Sequence, residues 1–277
     1  QPRIGYRLLK RPDLLLPAEI ASGLNTTCLG QEVVYYPEVD STNEIARQLA
    51  LQGAAEGTLV VAERQTKGKG RLGRTWISPE GEGLWFSLIL RPKMLPQEAP
   101  RATLVAAVAV AQALRQETGL NIRIKWPNDL LLEGKKITGI LTEMNSEIGR
   151  INFLVVGIGI NVNLNFETIP PEISATATSL SAYLTQPVSR LVLLQRCLEE
   201  LEKYYELWQK GAFPEILVEW RQLSATLGNQ VQIKMFDDTI EGFAEEVELD
   251  GSLRLRLADG SVYQVIAGDV AFDPAKP

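Results

Sequence analysis

The chain has 277 residues, 45% of them hydrophobic and 22% charged, which allows one sizeable core plus a smaller module, and its net charge of -6 argues against a surface built throughout for nucleic acid. Histidine is absent, which excludes Ser-His-Asp and Cys-His nucleophile activation and most catalytic zinc sites. Cys28 and Cys197 fall in neither a CxxC pair nor metal-ligand spacing, so no disulfide framework is expected and the cytoplasm fits best.

In chain order, residues 1–30 read as a connector, punctuated by Arg11-Pro12-Asp13 and Leu16-Pro17, and the start at Gln1 leaves room for a preceding segment. There is no basic-then-apolar leader pattern, and the longest strongly apolar stretch, residues 104–111, is too short to cross a bilayer. Residues 33–36 are extended. Ser41-Thr42-Asn43-Glu44 then opens a helix to about Gln52, with Ser41 and Glu44 spaced as a capping box. Strands follow over 58–62 and 84–90, then a nearly all-apolar helix over 100–118 closed by Gly119, whose missing polar face predicts burial on most sides. Further strands are read over 122–126, 130–132, 137–143 and 153–162, with a turn at Glu133-Gly134. A second long helix over 188–209 carries Leu191, Leu194, Leu198, Leu201 and Tyr205 at helical spacing and stops at Gly211; Tyr204, Tyr205 and Trp208 are read as packing. After Gly228, short alternating strands are broken by Asp237-Asp238, Asp250-Gly251 and Asp259-Gly260, the pattern of a small barrel. The expected division is 1–30 linker, 31–227 catalytic domain and 228–277 barrel.

The segment from Gln65 to Trp76 interleaves Lys67, Lys69, Arg71 and Arg74 with Gly68, Gly70 and Gly73, and no acidic residue occurs between Glu63 and Glu80. Glycines let the backbone wrap an anion while the cations supply charge, so the loop suits a phosphorylated or carboxylated ligand. Basic turns on surfaces are mostly just solvated, and a second element adds weight. Lys125-Trp126-Pro127-Asn128-Asp129 follows the alternating run Asn121-Ile122-Arg123-Ile124, so Lys125 and Asn128 lie at a strand end, where sites are commonly built. With no histidine, chemistry rests on charge stabilisation. A carboxylate substrate suits this, because it is already a deprotonated nucleophile at neutral pH.

Four segments together resemble the biotin protein ligases in order and separation: Asp40-Ser41-Thr42-Asn43; residues 65–76; Lys125-Trp126-Pro127-Asn128-Asp129 with Lys136-Ile137-Thr138-Gly139-Ile140-Leu141; and Gly157-Ile158-Gly159-Ile160-Asn161. The match runs over roughly residues 31–273. It implies an α+β fold, with a mixed sheet and helices related to class II aminoacyl-tRNA synthetases, followed by an SH3-like barrel. It also implies a reaction. Biotin and ATP, with Mg2+, give biotinyl-5'-AMP and pyrophosphate, and biotin then passes to a lysine of a biotin carboxyl carrier protein such as an acetyl-CoA carboxylase subunit.

By position, the resemblance assigns Ser41, Thr42, Asn43, Gly139 and Gly157 to the biotin pocket and Gln65 to the ureido ring. Lys69, Gly70 and Arg71 fall to biotin and the adenylate phosphate, and Lys125 to the carboxyl and phosphate oxygens. Arg74, Trp76, Asn128, Gly159 and Asn161 fall to the nucleotide, with Trp76 covering adenine; Arg71 and Lys125 are the catalytic pair. Adenylation needs no general base. Transfer requires a lysine to lose a proton, for which Asp129 is a candidate, although an Asp after Pro-Asn is read first as a turn or cap residue. No protein ligand is assigned to Mg2+. Lys69 and Leu72 stand where the family often has arginine, which leaves Lys69 without bidentate geometry. The glycine loop is expected to close over the adenylate.

The resemblance also implies a homodimer. Two other functions fit parts of it: a lipoate-type ligase of the same fold, disfavoured by Gln65 and Arg71 because lipoate has no ureido group, and a biotin-responsive repressor. Ile4-Gly5-Tyr6-Arg7-Leu8 resembles the tail of a DNA-binding wing, but too little chain precedes it for the helices of such a domain, so no specific DNA binding is expected of this chain.

Overall fold

The apolar runs assemble into one sheet in the computed structural model, which describes residues 13–235 and 238–272. Its strands are β1 (Val33–Val39), β2 (Leu59–Gln65), β3 (Gly83–Leu90), β4 (Arg123–Lys125), β5 (Asp129–Leu132), β6 (Lys135–Glu147) and β7 (Arg150–Asn161), in the order β1-β2-β3-β7-β6-β5-β4. Only β1 and β2 pair in parallel; the remaining neighbours are antiparallel. Every residue of β3 is buried, which explains its unbroken apolar run: both faces of the sheet are covered.

Helices do the covering. The described helices are α1 (Pro17–Ala21), α2 (Thr42–Leu51), α3 (Ala99–Thr118), α4 (Pro171–Ser174), α5 (Arg190–Gln209) and α6 (Phe213–Leu223), beside short 3-10 turns. On one face Ala46 and Ala50 of α2 pack on Val60, Ile89, Phe153 and Val155. On the other, α3 lies between the sheet and the pair α5 and α6, so nearly all its sides are buried, as its missing polar face predicts. Gly119 ends it at φ 70, its N–H bonded to the Arg115 carbonyl at 2.9 Å. No helix among the described residues is long and apolar enough to cross a membrane.

The stretch expected to be a connector is, from Asp13 onward, packed into this core through Leu15, Ile20 and Leu29. Two charged groups fix it. Arg190, 1% exposed at the start of α5, donates to Glu63 Oε2 at 2.7 Å, to Asp13 Oδ2 at 3.0 Å and to the Gly83 carbonyl at 3.2 Å, while Glu63 Oε1 accepts from the Leu15 N–H at 2.9 Å. Glu202 accepts the backbone N–H groups of Thr27, Cys28 and Leu29 at 2.6, 2.8 and 2.7 Å. Burial pushes the Glu202 carboxyl up, but these donors outweigh it and hold the group below the usual carboxylate range. The expected wing tail at Ile4 to Leu8 lies outside the described residues.

The C-terminal module is an antiparallel sheet of β8 (Gln230–Lys234), β9 (Thr239–Val247), β10 (Leu253–Arg256), β11 (Val262–Val265) and β12 (Asp269–Phe272), in the order β11-β10-β9-β8-β12. It has the strand content of an SH3-like barrel. Two of the expected turns are present: Gly251 and Gly260 sit at φ 89 and 83, and Asp250 and Asp259 accept the N–H groups of Ser252 and Ser261, each at 2.9 Å. The third, at Asp237-Asp238, lies partly outside the described residues. The module is joined firmly to the larger sheet. Trp126 Nε1 donates to the Gly251 carbonyl at 3.0 Å, Arg221 pairs with Glu246 at 2.6 Å, and one hydrophobic cluster runs through both parts.

Candidate active site

Three sheet glycines create the floor of the site. Gly139 and Gly159 are direct partners across β6 and β7, and Gly157 lies opposite Leu141 and Ser87. A Cβ on Gly157 would stand 1.8 Å from Asn43 Oδ1, one on Gly159 2.4 Å from Trp76 Nε1, and one on Gly139 2.8 Å from Trp76 Cζ3. The bare backbone therefore admits Asn43 and Trp76 flat against the sheet. Around them lies a cavity of about 260 Å³. Ser41, Thr42, Asn43, Gln65, Lys69, Gly70, Arg71, Arg74, Trp76, Asn128, Gly139, Gly157, Gly159 and Asn161 all line it, so of the sequence-predicted residues only Lys125 lies off its wall.

One end of the cavity is polar and rigid. Ser41, Thr42 and Asn43, at the start of α2, are 3, 3 and 4% exposed. Asn43 accepts from Ser87 Oγ at 2.7 Å and donates to Glu143 at 2.8 Å. Gln65 accepts from the Thr42 N–H at 2.8 Å and donates to Ser78 Oγ at 2.9 Å, so both ends of its amide are held by protein. The expected capping box does not form. Glu44 turns instead to Arg47 and to Lys69, at 2.6 and 3.1 Å, and these two cations bring its carboxyl down to about 2. Of these partners Arg47 is local, three residues on, whereas Lys69 is tertiary and invisible in local spacing.

The glycine loop is folded back on itself. The Gly70 N–H donates to the Arg74 carbonyl at 2.7 Å and the Trp76 N–H to the Gly68 carbonyl at 2.8 Å; a Cβ on Gly68 would meet the Trp76 carbonyl at 2.3 Å. Its cations all have protein partners. Lys67 pairs with Asp40 at 2.8 Å, Arg71 Nη1 donates to Asn128 Oδ1 at 2.8 Å and to the Gly268 carbonyl at 3.3 Å, and Arg74 pairs with Asp269. Burial lowers the pKa of Arg71. Trp76 lies between the glycine floor and Lys136, whose Nζ is 5.2 Å from the ring centroid, and Trp76 Nε1 finds no acceptor among the described residues.

Lys125, at the end of β4, lines an adjoining cleft of about 380 Å³ together with Leu72 and Lys234. This cleft and the main cavity share Arg74, Asn128, Asp129 and Asp269 as a common wall. Arg71 thus lines the cavity and Lys125 the adjoining cleft, with that wall in common. Lys125 Nζ stands 5.7 Å from the Phe272 ring, and burial lowers its pKa against the opposing pull of Asp129. Asn161 donates to the Thr178 carbonyl at 3.0 Å from a buried position on the cavity wall.

Several lining residues escaped the sequence reading. Lys136 faces the cavity and pairs with Asp129 at 2.7 Å; it belongs to a segment already singled out, but a register shift between β5 and β6 breaks the alternation there, so strand periodicity alone does not flag it. Asp129 opens β5 and is neither a turn nor a cap residue. Ile169, Ile173 and Asp269 come from distant segments with no local signal. Among the described residues no three potential ligands cluster for a metal ion, and the carboxylates at the site, Asp129 and Asp269, are each held by a cation. That donor set fits a Mg2+ carried chiefly by phosphate oxygens and water.

Residues 35–161 match the model of the biotin/lipoate A/B protein ligase family. Over 268 residues, 97% of this chain and 82% of the relative, the chain is 40% identical to the bifunctional ligase/repressor BirA of Bacillus subtilis. It is 32% identical to the biotin--[acetyl-CoA-carboxylase] ligase of Mycobacterium tuberculosis over 84% of this chain and 86% of that one. The solved biotin protein ligase from Aquifex aeolicus in complex with biotin and ATP superposes with a TM-score of 0.75 at 31% identity, covering 88% of this chain and 99% of that one. Covered over most of its length by such relatives, the chain belongs to the biotin protein ligase family.

Proposed function

We propose that the chain activates biotin with ATP to biotinyl-5'-AMP and transfers it to a lysine of a biotin carboxyl carrier protein, with residues 31–227 carrying the chemistry and 228–277 forming the barrel. The observation that carries this reading is a single cavity with a buried polar end at Ser41, Thr42 and Asn43 and a cationic end at Arg71, Arg74 and Lys136, in a chain similar to a ligase solved with biotin and ATP. A molecule that is apolar except for a ureido group and a carboxylate matches a pocket with few, fixed donors and acceptors. The ureido ring goes to the end held by Asn43 and Gln65, and the carboxylate points toward the cations.

In the first step a carboxylate oxygen of biotin attacks the α-phosphorus and the bond to the pyrophosphate oxygen breaks. No proton moves. Two anions must meet, so the protein's work is to position them and offset charge on the phosphate, the task of Arg71 from the cavity and Lys125 from the adjoining cleft, with Lys136 beside them. Trp76 covers the adenine, and Asn128 and Asn161 line the nucleotide side. In the second step the carrier lysine attacks the mixed anhydride, AMP leaves, and the amine proton is lost; Asp129 is engaged by Lys136. The unpaired thiols of Cys28 and Cys197 support the cytoplasmic location. A homodimer is part of the proposal, and light scattering with and without biotin and ATP tests it.

ATP-pyrophosphate exchange is the test of the reaction. It should depend on biotin and fail with lipoate. Exchange with lipoate alone would replace biotin as the substrate within the same adenylation chemistry.

A further inference from the structure

The hydrogen bonds behind the polar end of the cavity can be counted proton by proton. Glu143 does not line the cavity, yet its Oε2 accepts from Asn43 Nδ2 at 2.8 Å, and the Leu141 carbonyl accepts from the same nitrogen at 3.3 Å. An ionised carboxylate only accepts, so the Asn43 amide is pinned with Nδ2 toward Glu143 and Oδ1 toward Ser87. Gln65 is pinned too. Its Oε1 accepts from the Thr42 N–H at 2.8 Å, a group that only donates, and from Thr42 Oγ1 at 3.1 Å. With the Thr42 hydroxyl proton directed there, two acceptors remain, Asn43 Oδ1 and Thr42 Oγ1. The fully buried Ser87 Oγ lies 2.7 Å from the first and 2.8 Å from the second, and its hydroxyl has one proton to give. Among the described residues no other group donates to either acceptor. One of the two therefore lacks a donor, and Thr42 and Asn43 both line the cavity.

We propose that this shortage is a selectivity device and that Glu143 is its positioning residue: from outside the cavity it holds the Asn43 amide so that the pocket end keeps one unmet acceptor, which a ring N–H of the ligand completes. This rests on placing the ureido ring at that end. A ligand that fills the end and excludes water must bring a donor, because a buried acceptor left without one costs more than an ordinary hydrogen bond contributes. A ureido ring brings two N–H groups. An analogue with oxygen in place of the N–H that meets the acceptor sets lone pair against lone pair. The charge on Glu143 also polarises the Asn43 amide and makes Oδ1 the stronger acceptor.

Titration calorimetry of the full chain without ATP tests this on biotin and its two cyclic carbamate analogues, in which one or the other ring N–H is replaced by oxygen. Wild type should bind biotin at least about a hundredfold more tightly than one of the carbamates. Glu143→Gln keeps the shape, loses the charge and can donate, which leaves the weaker Leu141 contact to hold the amide, so that preference should fall about fivefold. Ser87→Ala deepens the shortage by one proton, so its preference should be unchanged or larger. A role in stability alone would weaken all three ligands together and leave the preference unmoved in both variants. In biotin-dependent exchange, Glu143→Gln should raise the KM for biotin about fivefold and leave the KM for ATP within about twofold. An unchanged preference in Glu143→Gln, or an equal fall in Ser87→Ala, overturns the inference while the proposed reaction stands. A wild type that binds biotin no better than either carbamate overturns it as well. A wild type that binds none of the three sinks the proposed reaction itself, and this inference with it.

Discussion

Gly157→Ala puts one methyl group where the floor has none. The new Cβ would lie 1.8 Å from Asn43 Oδ1, so Asn43 must leave the sheet and give up its bonds to Ser87 at 2.7 Å and Glu143 at 2.8 Å. Overpacking at a tight site costs about 1–3 kcal/mol. A neutral hydrogen bond contributes about 1 kcal/mol and one to a carboxylate about 1.5–3 kcal/mol, so if Asn43 swings away and relieves the overpacking, the two lost bonds alone set a loss of about 3 kcal/mol in stability. For a chain of this size that lowers Tm by about 6–12 °C. The biotin KM should rise at least about tenfold, since the polar end of the pocket is displaced. Adding Asn43→Ala removes the clash, so the double variant should be about 1–2 kcal/mol more stable than additivity gives. Thermal melts and exchange kinetics on the wild type, both singles and the double measure this cycle. Strict additivity, or a Gly157→Ala variant with wild-type Tm and biotin KM, would refute the claim that Asn43 rests on that glycine.

Other expectations are equally concrete. Lys125→Ala and Lys136→Ala should each slow exchange by about a hundredfold or more, since each removes positive charge near the developing phosphate charge; a fall in only one would assign the role to that lysine. Arg190→Ala leaves Glu63 buried without its cation and should destabilise the fold by about 3–5 kcal/mol in urea titration, with a change below about 1 kcal/mol refuting the buried network. Hydrogen bonds from three backbone N–H groups hold the folded Glu202 carboxyl below the ordinary glutamate value of 4.5, so its stabilisation is fully present above that pH and is lost as pH falls through the folded value. The stability gap between wild type and Glu202→Gln should therefore be wide near neutrality and close below about pH 4.5. A gap independent of pH would contradict the backbone capture by Glu202.

What was legible follows from where each signal resides. Burial on most sides at α3 and the Asp-Gly turns at 250–251 and 259–260 are local properties of periodicity and φ, and both are found in place. Helix α6 was readable in principle, with Pro214 in its first turn and Phe213, Ile216, Leu217 and Trp220 at helical spacing, yet the short interval between Gly211 and Gly228 hid it. The course of residues 13–30 depended on Arg190 and Glu202, partners far along the chain. The site divides in the same way. Glycines 139, 157 and 159 and the cationic loop announce themselves in sequence. That Lys125 lies in a neighbouring cleft, that Glu44 turns to Lys69, and that Asp269 arrives from the last strand are consequences of tertiary packing alone.

A crystal structure of the chain with biotinyl-5'-AMP bound tests the central claim most directly. The ureido ring should lie at the Ser41 to Asn43 end, the adenine against Trp76, and the phosphate within hydrogen-bonding reach of Arg71, on the wall the cavity shares with the Lys125 cleft. A phosphate lying away from Arg71, or an adenylate seated outside this cavity, would contradict the account.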